Sequence, residues 1–87
     1  MRELAQEEAD LGLADRHIME GEERVTRQIR MIAVLRSRGH NDAVAQQLLT
    51  TLEQTLGSWQ EHRRLILNHI AALKLRASDP VTGTKPL

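Results

Sequence analysis

The chain has 87 residues, no cysteine and a formal net charge of zero, and 28% of its residues are charged. This length allows one small domain with a thin core, and the lack of cysteine excludes a disulfide scaffold, a thiolate metal site and a cysteine nucleophile. The acidic start of the chain does not resemble a secretory signal, and no run approaches the roughly 18 apolar residues of a membrane span. We therefore expect a cytoplasmic protein that does not enter the membrane.

The first predicted element is a long helix over about residues 2–38. Apolar residues recur every seven positions from Leu4 to Ile32, which is typical of a helix that lies along another helix. Gly39 can adopt the left-handed backbone conformation with which many helices end. The sequence therefore predicts a short turn at residues 39–41.

The second predicted element is a helix over about residues 42–77. Its apolar edge repeats at alternating spacings of four and three from Ala45 onward, interrupted by a single charge. Pro80 stops the helix, because it disfavours helical geometry in the preceding residue and has no amide hydrogen to donate. Residues 1–77 are thus predicted to form a helical hairpin, and residues 78–87 a disordered tail.

Two long amphipathic helices joined by a short turn predict an all-α fold, an antiparallel αα-hairpin. With the turn centred near residue 40, Gly21 is expected beside Trp59, the one aromatic residue of the chain. The charged residue in the edge of the second helix is Arg63, which either pairs with an acidic residue of the first helix or extends its guanidinium to water. The residues expected to pack between the helices, called the seam below, are Ile18, Gly21, Val25, Ile32, Leu52, Leu56, Trp59, Ile66 and Ile70.

A hairpin of this size, without a disulfide or a metal, usually needs additional burial to be stable. Residues 1–23 carry a net charge of −6 and residues 24–40 a net charge of +5, so two hairpins packed head to tail would bring opposite charges together. We therefore predict a homodimeric four-helix bundle that works by protein contact, as an assembly or regulatory module, with an unidentified protein as a further partner. The apolar residues predicted for self-association are Met31, Val34, Leu65, Leu67, Ala72 and Leu75.

Two other functions follow from the polar residues. An arginine face on the first helix would suit nucleic acid or another anion, although the pI near 6.9 and the lack of aromatic residues beside it favour protein contact; it comprises Arg16, Arg27, Arg30 and Arg38. A metal-binding bundle would use His17 and His62 with Glu20 or Glu22, although no Glu-x-x-His spacing occurs. No motif for catalysis is present, so we expect neither enzyme activity nor a cofactor.

Several short stretches carry a family resemblance; they are His17–Glu22, Leu35–His40, Ala45–Leu49 and His62–Leu67. With these stretches the chain resembles short uncharacterised bacterial proteins that are predicted to be helical hairpins. The resemblance covers roughly residues 11–70. It implies a bacterial origin and a two-helix fold, and it implies no role for any individual residue.

Overall fold

A computed structural model of the protein describes residues 2–77 and confirms the all-α hairpin predicted from the sequence. Helix α1 spans Arg2–Ser37 and helix α2 spans Ala43–Ala77. In this part of the chain, neither helix contains a stretch that is long and apolar enough to cross a membrane. The predicted disordered tail, residues 78–87, lies outside the described residues.

The turn between the helices begins with a hydrogen-bonded cap at the end of α1. Gly39 has a φ angle of 69°, and its N–H donates to the carbonyl of Arg36 at 3.0 Å. The next N–H, that of His40, donates to the carbonyl of Leu35 at 2.8 Å. This pair of bonds is a Schellman motif, which satisfies carbonyl groups that the end of a helix leaves without partners.

The first hydrogen bonds of helix α2 are accepted by two residues of the turn. Asn41 Oδ1 accepts a hydrogen bond from the N–H of Ala43 at 2.8 Å, and the carbonyl of Asp42 accepts the first helical bond, from Gln46, at 2.9 Å. The guanidinium of Arg36 donates to the carboxylate of Asp42 at 2.6 Å, which holds the pKa of that carboxyl below its usual value. Hydrogen bonds therefore hold the turn both at the end of α1 and at the start of α2.

The core is one narrow stripe between the helices. In the half of the hairpin away from the turn, it combines Ala14, Ile66 and Ile70, with Leu4, Leu11 and Trp59 packed beside them. Apolar burial of this kind is the main force that holds two amphipathic helices together. The residues of the described chain that are buried outright are Ala14, Ile32, Ile66, Ile70 and Leu73.

The register of the hairpin differs from the one expected from the sequence. The three atoms nearest to a Cβ built on Gly21 belong to Leu56, at 3.2 to 4.0 Å, so the expected pairing of Gly21 with Trp59 is wrong. Trp59 instead stacks against His17. The helices are therefore shifted by about three residues, close to one turn, from a hairpin centred on residue 40.

Candidate interaction surface

The residues predicted for the seam line the contact between the helices. Ile32, Ile66 and Ile70 are buried, and the other six are half-buried. Gln28 occupies a polar position of the same stripe and donates through Nε2 to the carbonyl of Ala45 at 2.9 Å. The polar group is thereby satisfied across the helices instead of being left without a partner.

A large part of the apolar surface stays outside the contact between the helices. All six residues predicted for self-association are exposed, and the side chain of Leu75 is exposed by 73%. Five more exposed apolar residues were not predicted from the sequence. Two of them, Val44 and Leu48, are four residues apart and so share one face of α2, which is a signal that the sequence does contain. The exposed large apolar residues of the described chain are Leu13, Met19, Ile29, Met31, Val34, Val44, Leu48, Leu65, Leu67 and Leu75.

A cluster of three rings lies at mid-length on one broad side of the hairpin. The imidazole of His17 is nearly parallel to the indole of Trp59, with ring centroids 4.1 Å apart and an interplanar angle of 15°. His62 meets the same indole edge to face at 5.5 Å. His17 Nδ1 is buried and has no hydrogen-bond partner among the described residues. The sequence interpretation missed the stacking because it paired Trp59 with Gly21.

Polar contacts between the helices flank the stripe on both broad sides. Arg63 Nε donates to Asp15 Oδ1 at 2.5 Å, which resolves the two options left open for Arg63 in favour of an ion pair. Because both side chains are about half exposed, this pair contributes roughly 0–1 kcal/mol to stability. On the other side His69 lies between two carboxylates of α1, 3.3 Å from Glu7 and 3.9 Å from Glu3.

The predicted arginine face is exposed but is not purely cationic. Arg16, Arg27, Arg30 and Arg38 are all exposed. Arg27 and Arg30 line one shallow, open hollow on α1, and they share it with Glu22 and Glu23. The two carboxylates offset the positive potential that would attract a phosphate group.

The histidines predicted for a metal site come together only through Trp59. Across residues 2–77, no group of three or more His, Asp or Glu side chains is placed to hold a metal ion. The arrangement of His17 and His62 on two sides of an indole instead forms a small aromatic surface at mid-length.

Three comparisons with known proteins returned nothing: no family model matches the chain, no curated protein is similar to it, and no solved structure matches its fold.

Proposed function

We propose that the chain is a protein–protein interaction module, a helical hairpin that self-associates and serves as an assembly or regulatory unit in the bacterial cytoplasm. The observation that supports this most is that more large apolar side chains are exposed than are buried between the helices. Among residues 2–77, ten large apolar side chains are exposed and four are buried between the helices, while the other large apolar residues are half-buried. A monomer seldom leaves so much apolar surface in water, and a large exposed apolar surface commonly marks an interaction site.

The thin core supports the same proposal. Below about 70–80 residues a single core rarely supplies more than about 3–5 kcal/mol of stability, and the two helices that form this core have 36 and 35 residues. Two helices also bury only one edge each, whereas a four-helix bundle buries a second edge of every helix. Association of two hairpins would therefore supply the burial that one hairpin lacks.

Sedimentation equilibrium of the full chain at micromolar concentration tests the proposal. The mass of the chain is 9.9 kDa, so we expect a species of at least twice that mass. A single species of 9.9 kDa at every concentration up to the millimolar range would contradict self-association.

The competing function, anion binding by the arginine face, stays a prediction. It would appear as DNA binding that weakens steeply with salt and is lost when Arg27 and Arg30 are both changed to Glu.

A further inference from the structure

The two broad sides of the hairpin differ in their apolar content. We call the side that carries His17, His62 and His69 the histidine side, because His17 and His62 contact the same indole there and His69 reaches Glu3 across the helices. Residues three, four or seven positions apart share a helix face, so positions on this side can be counted from these histidines. Six of the ten exposed large apolar residues fall on it: Leu13, Met31, Val34, Val44, Leu48 and Leu65.

The opposite side, which carries the Asp15–Arg63 ion pair, is poorer in apolar residues. The same counting places Met19, Ile29 and Leu67 on this opposite side. Leu75 lies two heptads after Glu61, on the edge of α2 that faces away from α1. Of the residues predicted for self-association, Met31, Val34, Leu65 and Ala72 therefore lie on the histidine side, whereas Leu67 and Leu75 do not. A partner that covers the histidine side covers most of the exposed apolar surface.

The charges on the histidine side are separated along its length. Near the turn it carries three cations from α1 and the turn, namely Arg24, Arg27 and Arg38, and towards the open end of the hairpin α1 contributes three anions, namely Glu3, Asp10 and Glu20. Counting along α2 from Val44, this side carries no Asp, Glu, Lys or Arg before Arg76, which lies seven residues after His69. A surface with this pattern complements a reversed copy of itself.

We infer that a second copy of the chain docks antiparallel on the histidine side, with the basic turn of each hairpin against the acidic end of the other; the inference rests on the proposed self-association. A two-fold axis perpendicular to the helices brings α1 against α1 of the partner and α2 against α2 of the partner. Arg27 then lies at the level of the partner's Asp10, since the two residues stand at similar distances on either side of the middle of α1. From Val44 to Ala72, the uncharged faces of the two α2 helices meet without like-charge repulsion.

A matched pair of lysine substitutions tests which side is the interface. Leu65 and Leu67 are two residues apart on α2 and are exposed by 52% and 37%, but they belong to opposite sides. Leu65→Lys should reduce the sedimentation mass to 9.9 kDa, whereas Leu67→Lys should keep the mass of the wild type. Helicity measured by circular dichroism shows whether each variant is still folded.

The outcomes separate this inference from the proposed function. A wild-type chain that is monomeric contradicts self-association itself. A wild-type dimer that survives Leu65→Lys, or that is dissociated by Leu67→Lys, overturns the assignment of the interface to the histidine side and leaves self-association intact.

The orientation is tested by a distance between the two turns. The chain has no cysteine, so a spin label on His40→Cys is its single labelled site, and His40 is exposed in the turn. In an antiparallel dimer the two labels lie at opposite ends of the particle, about 50 Å apart, because α1 has 36 residues with a rise of 1.5 Å each. A pulsed electron paramagnetic resonance distance of about 20–25 Å would instead show that the two turns lie together and would overturn the antiparallel arrangement.

Discussion

Trp59 is the largest side chain in the hairpin, and the chain accommodates it by stacking. The indole lies flat on His17 and is roughly perpendicular to the ring of His62, so its two ring neighbours come from different helices. Stacked and edge-to-face ring pairs contribute about 0.5–1.5 kcal/mol beyond the burial of their area. Gly21, which the sequence predicts beside this ring, contacts Leu56 instead.

Two of the helical glycines, Gly21 and Gly57, should respond differently to alanine. A Cβ at Gly57 would meet nothing within 4 Å, so Gly57→Ala should raise the free energy of unfolding by about 0.5–1 kcal/mol through helix propensity alone. A Cβ at Gly21 would lie 3.2 Å from Leu56 Cδ1, so the seam must shift and Gly21→Ala should gain clearly less. Urea unfolding of both variants at one protein concentration measures the difference, and equal gains would contradict the close packing of Gly21 against Leu56.

At the scale of the helices, the sequence predicts the elements well and their alignment poorly. The seven-residue repeat depends only on which residues are apolar, so it identified two helices and the edges by which they meet. The register depends on the path of the turn, and an apolar repeat is also satisfied by other alignments of the two edges. The Schellman motif at Gly39 and the ion pair of Arg36 with Asp42 fix that path, and neither follows from apolar spacing.

Gly39→Ala tests how much the turn contributes. Its φ angle of 69° lies in the left-handed region, where a residue with a Cβ pays about 1–2 kcal/mol, while a Cβ there would meet no other atom within 4 Å. We therefore expect Gly39→Ala to lower the free energy of unfolding by about 1 kcal/mol without loss of helicity. Gly12→Ala is the control, since Gly12 is helical and equally open to solvent and should gain stability. A Gly39→Ala variant as stable as the wild type would show that the turn does not depend on this conformation.

At the scale of the whole molecule, the sidedness of the exposed apolar residues could not be predicted from either helix by itself. Each helix has apolar residues on several faces, and only the pairing of the helices decides which of these faces join into one surface. Met31 lies two heptads after His17 on α1, and Leu48 lies two heptads before His62 on α2, so both belong to the histidine side. They become part of one surface only when the two helices pair. An interaction surface made in this way is a property of the fold and not of a sequence motif.

If two hairpins fold as one bundle, the stability of the chain should depend on its concentration. Unfolding then separates two molecules, so each tenfold rise in concentration adds about 1.4 kcal/mol per dimer, which raises Tm by about 3–6 °C for a unit of roughly 150 residues. Thermal unfolding followed by circular dichroism between 1 and about 100 μM measures this dependence. The Leu65→Lys variant is the control, because a monomeric hairpin should show a lower Tm that does not change with concentration. A wild-type Tm that is constant over this range would mean that one thin stripe of core is sufficient to hold the hairpin together.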